Sequence, residues 1–409
     1  MKKITLLTLL TLILSGCSTE DIPQDTIKNE EKGYKISPDQ AVSSALSYMS
    51  LMFPETRSVQ RSHYDITPLR RVTTRSPQND VEYPDTLYYV INFSDDNGFA
   101  LMGADRRLPR MLAISDTGNM NLADTVFNRG LAIFMENIST PYLPADALPE
   151  NITRPVVSPP MLSVSVRKWG QRAPYNDECP IVNGLRTPTG CVPLAVGQVM
   201  TYFDHPASYG GTVFDWKKMK NGEDNATVAK LLRILGDKNN LAAEYGIDKT
   251  GKVTGEATGT DIDNIPRAFN NFGYDFNSIK EPLNRDFPYY ILNCITTLNP
   301  HPVLLYGAGH QVVIGDEDDK NTHSTHVWVA DGCMYQGGTY DDGTKYEEFY
   351  IHCVWGFEGM NNGYFLYTYN GVIGGKPDML APGDLRYDNE GYVYNKGLEG
   401  WTNFGPANK

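Results

Sequence analysis

The chain has no basic cluster. No five-residue run of Lys and Arg occurs, and 49 acidic residues outweigh 36 basic ones for a formal net charge of −13. A field of that sign repels polynucleotides and anionic membrane surfaces, so nucleic acid is excluded as a partner. The apolar run from Ile4 to Leu14 is far short of the roughly 20 residues that a spanning helix needs. Cysteine is scarce, with six residues at positions 17, 179, 191, 294, 333 and 353. None forms a CxxC pair or stands at zinc-ligand spacing from a histidine, so neither a metal nor an organic cofactor is called for. The acidic run Asp316-Glu317-Asp318-Asp319 lacks the glycine and distal Glu of a calcium loop and reads as solvated charge. No internal repeat is present.

What the N-terminus does contain is Lys2 and Lys3 ahead of that short apolar run, the shape of a secretory signal. Leu14-Ser15-Gly16-Cys17 resembles the lipobox of bacterial lipoproteins, in which the cysteine becomes the lipidated first residue. Acyl chains buried at about 0.8 kcal/mol per CH₂ would anchor the chain stably. The expectation is an exported lipoprotein, held at the outer membrane or cell surface through Cys17 alone, or released after processing. Five cysteines then remain, and an odd number in an oxidising compartment leaves one thiol for chemistry. Cys191 is the candidate for it. The other four form up to two disulfides in three possible connectivities, or stay as small buried hydrophobes.

At 409 residues and 41% hydrophobic, the chain has apolar mass for two cores. After a polar tether to about Tyr34, Ser37-Pro38-Asp39-Gln40 combines an N-cap, a proline at the first helical position and a capping-box glutamine. A helix is predicted from there to about Phe53. Two strands follow around Asn97-Gly98, then a helix over about 125–138. Six prolines between Ser139 and Pro160 mark an extended connector open to proteolysis, with Arg154 a candidate cut. Residues 1–17 thus read as a signal segment, 18–140 as a first module, 141–160 as a connector and 161–409 as a second domain. In the latter, helices near 191, 226–244 and 260–272 precede strands near 302–306, 326–332, 346–354 and 363–368. Helices first and strands later imply segregated α+β architecture.

The strongest chemical signal is Thr189-Gly190-Cys191-Val192-Pro193, opening a run whose Val192, Ala195, Val196, Val199, Met200 and Phe203 share one helical face. Cys191 therefore sits in a first turn, where the positive end of the helix dipole favours the reactive thiolate. A structural cysteine capping a core helix has the same pattern. A nucleophile needs a base brought close by the fold. Of seven histidines, His326 opens the strand-like HVWVADG, 326 − 191 = 135 residues downstream, within the roughly 130–150 residue offset of papain-like enzymes. His310 opens a similar run and is the runner-up. His323 reads as a loop residue, His63, His205 and His301 as surface or core-edge residues, and His352 as packed in a strand.

These stretches resemble the streptopain family of papain-fold cysteine peptidases. Four motifs occur in the family's order. They are Trp169-Gly170-Gln171-Arg172-Ala173-Pro174-Tyr175-Asn176, Thr189 to Met200, His326 to Gly332, and Tyr350-Ile351-His352-Cys353-Val354-Trp355-Gly356-Phe357. The first module resembles the family's propeptide, chiefly in GFALMGADRRLPRMLAISDTG. The resemblance implies an α+β fold, a papain-like catalytic domain of a helical part plus an antiparallel sheet behind a small α+β pro-domain. It implies a secreted endopeptidase made as a zymogen, acting on protein or peptide substrates with its own pro-domain as intramolecular inhibitor. Cys191 would be the nucleophile and His326 its base. Gln171 would donate to the oxyanion and Trp355 would cover the imidazole. The Gly-containing loop at 254–259 reads as a plain surface turn, with a substrate subsite as the alternative that the resemblance offers.

One position departs from the family. Val354 stands where the family has Asn, and its side chain neither donates nor accepts. If that Asn orients the histidine, the ring is less constrained here. Asp331 points to the opposite strand face from His326 and is no replacement. The competing expectation is a peptidase-fold surface binding protein that has lost catalysis.

Overall fold

The computed structural model describes residues 33–70, 85–120, 149–150, 153–248, 251–279, 287–296, 299–310, 323–340, 343, 345–373, 376–380, 386–387, 391–392 and 399–407. Cys17, the helix expected over about 125–138 and the run Asp316 to Asp319 lie outside the described residues.

Local chemistry sets the first element. The Ser37 hydroxyl accepts from the Gln40 N–H at 3.2 Å, and the Gln40 side chain accepts from the Ser37 N–H at 2.9 Å. With Pro38 in the first turn, the helix runs Pro38–Met52 and buries Ala41, Val42, Ala45, Tyr48, Met49 and Met52. The strands Thr86–Phe93 and Phe99–Gly103 pair antiparallel on either side of the Asn97-Gly98 turn.

Among the described residues, thirteen strands make one sheet. Its main path runs Tyr64–Arg70, Thr86–Phe93, Phe99–Gly103, Met111–Ser115, Gly363–Ile373, Lys345–Val354, His323–Tyr340, Val303–His310, Glu399–Pro406 and Tyr274–Ile279. Every neighbouring pair on that path is antiparallel. The alternation of a strand divides the sheet into two cores. Val303, Leu305, Trp328 and Ala330 face a cluster that includes the N-terminal helix and strands. Leu304, Val327 and Val329 face the helical half, with Val192, Val196 and Val199 of the Cys191–Phe203 helix and Leu231, Leu232 and Leu235. The α+β expectation of a helical part plus an antiparallel sheet agrees with this layout.

Two elements differ from the sequence reading. The helix near 226 is Asn225–Leu235, ending at Gly236, and the chain then forms the strand Glu244–Ile247 rather than continuing as helix. The histidine strand is longer, His323–Tyr340, carries a bulge at Asp331, and pairs with Val303–His310, Lys345–Val354, Pro149–Glu150 and Val156–Ser158. His323 lies in that strand rather than in a loop. No disulfide joins the described cysteines, and Cys179, Cys294, Cys333 and Cys353 are buried thiols.

The two modules are joined as one sheet. Met111–Ser115 pairs with Gly363–Ile373 through Tyr364↔Ile114 and Phe365↔Ala113. Only glycine fits at 363, because a Cβ there would stand 2.2 Å from the Ile114 carbonyl oxygen. The described C-terminal part of the proline-rich connector does not hang free. Val156–Ser158 pairs with Cys333–Tyr335, and Thr153 N–H donates to the Gly337 carbonyl at 2.8 Å, with Arg154 exposed between them.

A buried polar node also bridges the modules. Tyr48 donates to Gln336 Oε1 at 3.0 Å, Gln336 Nε2 donates to Glu348 Oε2, and Tyr350 donates to the Met111 carbonyl at 2.8 Å and to Glu348 at 3.0 Å. The Arg110 N–H approaches Glu348 Oε1 at 3.4 Å. Glu348 is 2% exposed, and burial raises its carboxyl above the ordinary carboxylate range despite these donors and Arg110. A carboxyl raised in the assembled state adds stability below its unfolded value and loses it as pH rises through the raised value. Between about pH 4 and pH 8, the melting temperature of the wild-type chain should therefore fall relative to Glu348→Gln. Parallel pH curves for the two proteins in thermal unfolding would contradict this.

Candidate active site

Cys191 is the first residue of its helix, with Gly190 as N-cap at φ +86. The side chain is half-buried, whereas the four other described cysteines are buried. It packs against the core that holds Val192, Val327 and Val354. The loop before it is pinned from two sides. Thr189 N–H donates to the Gln171 carbonyl at 2.9 Å, which fixes Gln171 beside the thiol loop. Thr258 donates to the Pro188 carbonyl at 2.6 Å and lies against Gly190. The 254–259 segment is thereby a wall of this loop, in the strand Val253–Gly259.

His326 is 1% exposed. Its Nε2 lies 2.8 Å from the main-chain carbonyl oxygen of Trp355. A carbonyl only accepts, so Nε2 carries the hydrogen and Nδ1 is the nitrogen left to take a proton. This contact answers the departure at Val354. The acceptor that orients the imidazole comes from the next residue's backbone, and the Val354 side chain fills the core with Val327 and Val329. The expectation of a loosely held ring is corrected on that ground. Trp328 stacks on His326 with ring centroids 6.2 Å apart and 11° between planes, and Phe357 lies 5.3 Å away. Trp355 packs its own ring against Trp328 at 5.3 Å and Phe365 at 5.0 Å. Sequence reasoning missed the Trp355 carbonyl, because no residue type announces a backbone acceptor.

The other acid and histidine candidates lie elsewhere. Asp331 Oδ1 accepts from His352 Nδ1–H across 2.6 Å, and its other oxygen accepts the Leu162 N–H at 3.0 Å. Both side chains are buried, so this pair anchors the start of the second domain to the sheet and stands apart from His326's own partners. His301 is buried and its pKa is lowered by burial, while His63 is exposed and His205 half-buried. His310 ends the strand paired with His323.

One hairpin turn, Trp355 to Asn362, collects these pieces between Lys345–Val354 and Gly363–Ile373. Trp355 holds His326 through its carbonyl. Glu358 N–H donates to the Trp169 carbonyl at 3.3 Å, two residues before Gln171. Gly356, at φ +79, touches the first turn of the thiol helix so closely that a Cβ would stand 2.7 Å from Leu194 Cδ2. On its outer side, the Gly359 carbonyl accepts from Thr117 at 3.3 Å and Asn361 donates to the Asn119 carbonyl at 3.5 Å, both in the N-terminal module. Gly356→Ala should cost about 1–3 kcal/mol through positive-φ strain and the Leu194 contact. Denaturant unfolding at the wild-type midpoint would refute that packing.

Comparison with known proteins follows this partition. Residues 169–365 match the Peptidase C10 family, residues 33–141 match the Spi protease inhibitor family, and residues 1–18 match a prokaryotic membrane lipoprotein lipid attachment site. The thiol protease/hemagglutinin PrtT of Porphyromonas gingivalis is 26% identical over 342 residues, covering 74% of this chain and 35% of that protein. The chain thus spans about a third of that relative's length. Among solved structures, a prointerpain A fragment of Prevotella intermedia is 18% identical with a TM-score of 0.49, covering 82% of this chain and 98% of that one. Active interpain A from the same organism is 20% identical with a TM-score of 0.40, covering 60% and 94%.

Proposed function

We propose that this chain, whose residues 169–365 match the Peptidase C10 family behind segments that match the Spi protease inhibitor family and a lipoprotein lipid attachment site, is an exported cysteine endopeptidase with Cys191 as nucleophile and His326 as its base. The single observation that carries the assignment of roles is the hairpin turn from Trp355, which holds the His326 ring and packs on the first turn of the Cys191 helix.

The chemistry runs on this chain's own groups. The Cys191 thiolate at a helix N-terminus attacks the scissile carbonyl of an extended protein or peptide substrate. His326, with Nε2–H held by the Trp355 carbonyl, keeps the thiolate as an ion pair and passes a proton from Nδ1 to the leaving amine. The oxyanion is met by the Cys191 N–H and the Gln171 side-chain amide, brought alongside by the Thr189 bond. The acyl-enzyme is then hydrolysed by water. The binding-protein alternative rests on Val354 alone, and no residue of this site favours it.

Latency has a physical basis in the same reading. His326 is 1% exposed, covered by Trp328 and Phe357 of its own domain, so catalysis requires an opening at this turn. The pro-module holds the catalytic turn through Thr117 and Asn119, and it holds the adjoining strand through Ile114. Maturation therefore requires parting these contacts as well as cutting the connector. The anchor at Cys17 would keep the enzyme at the outer membrane or cell surface.

On chain lacking residues 1–17, hydrolysis of an unfolded protein under reducing conditions should drop at least about 10³-fold in Cys191→Ala and His326→Ala. Gln171→Ala should lose about 10²- to 10³-fold. Wild-type-like turnover in either dyad variant would refute the roles. Gly363→Ala should leave the peptidase's own packing intact while driving a methyl into Ile114, so size-exclusion after connector cleavage should show the pro-module released more readily than from wild type. Equal retention would count against the strand joint as the latch.

A further inference from the structure

The turn that holds His326 is itself held by one buried amide. Asn362 is 6% exposed and stands at the end of the turn, seven residues after Trp355. Its Oδ1 accepts the Trp355 N–H at 3.0 Å, and its Nδ2 donates to the Arg167 carbonyl at 2.8 Å. The Trp355 indole N–H separately donates to the Asn361 carbonyl at 3.0 Å. The Trp355 residue is thus bonded on its N–H to Asn362 and on its carbonyl to His326.

We propose that Asn362 is a positioning residue for His326, clamping the Trp355 residue whose carbonyl accepts the imidazole Nε2–H. This rests on the reading of His326 as the catalytic base. The argument is geometric. A carbonyl orients an imidazole only as well as its own residue is fixed, and Trp355 sits in an irregular turn where its N–H is taken by the Asn362 side chain rather than by a ladder partner. The flanking glycine, Gly356 at φ +79, gives the backbone freedom that a side-chain clamp offsets. Asn362 also ties that turn to the Arg167 carbonyl, two residues before Trp169 and four before Gln171. One side chain therefore links the histidine's acceptor to the segment that brings in the oxyanion donor. In this chain it carries the work that Val354 cannot do, by acting on the backbone rather than on the ring.

A near-isosteric Asn362→Leu removes both bonds, and Asn362→Asp keeps the acceptor for the Trp355 N–H while losing the donor to Arg167. Two readouts apply to the chain lacking residues 1–17 after its pro-module has been displaced. The first is the pH dependence of Cys191 alkylation, which reports the thiolate–imidazolium pair without turnover. The second is kcat and KM on matured enzyme. Asn362→Leu is expected to lower kcat about 10- to 100-fold, as loss of an outer orienting partner does, with KM nearly unchanged. A weaker carbonyl contact favours the imidazolium less, so the alkaline limb should move down by roughly 0.5–1 pH unit. Asn362→Asp should keep the wild-type limb and most of kcat. A wild-type limb and kcat in the leucine variant would overturn the proposal. So would an aspartate variant as impaired and as shifted as the leucine variant, because the Trp355 bond would then not be the one that matters. Failure of the underlying base assignment looks different, since wild-type Cys191 would then titrate as an isolated thiol.

Discussion

The structure depends on the hydrogen bond from His326 Nε2 to the Trp355 carbonyl, and on the turn that presents that carbonyl. The turn joins two central strands of the sheet, so its ends are fixed by ladder pairing on either side. Its interior is fixed by Asn362 and by the contact of Gly356 with Leu194. From these restraints follows the tautomer of the imidazole. The same turn touches the helix that begins at Cys191 and the segment that ends in Gln171. A site assembled from elements about 190 residues apart in sequence is thereby gathered on one short piece of backbone.

The same turn is where the N-terminal module meets the second domain. Its strand Met111–Ser115 continues the sheet from Gly363, and its loop at Thr117 to Asn119 bonds the outer side of the turn. Beneath, the Tyr48, Gln336, Glu348 and Tyr350 node buries a carboxyl at the joint. The Glu55–Arg167 ion pair at 3.5 Å adds little at its exposure. Apolar burial along a shared core contributes more, with Phe53, Ile114, Tyr364 and Phe365 among its members. Parting the modules uncovers that apolar surface, which favours the joined state.

Much of this is legible in the sequence because it is local. The capping box at Ser37, the apolar face behind Cys191 and the alternation in HVWVADG each specify their element from neighbouring residues alone. Strand parity separates Asp331 from His326, and Asp331 pairs with His352 instead. What is not legible is carried by the backbone or by distant pairing. Val354 reads as a lost orienting residue only if orientation must come from a side chain, and the carbonyl of Trp355 has no signature in the residue string. The bulge at Asp331, the end of the Asn225–Leu235 helix at Gly236 and the pairing of Ile114 with Tyr364 depend on tertiary partners that a linear pattern does not name.

The most direct measurement is the rate of Cys191 alkylation against pH, in the intact chain lacking residues 1–17 and in the same chain after its pro-module has been displaced. The account predicts fast labelling of the displaced form well below the ordinary thiol range of about 8.5, abolished by His326→Ala, with labelling of the intact chain suppressed. Equal labelling of the two forms, or a displaced form that titrates as an ordinary thiol, would contradict it.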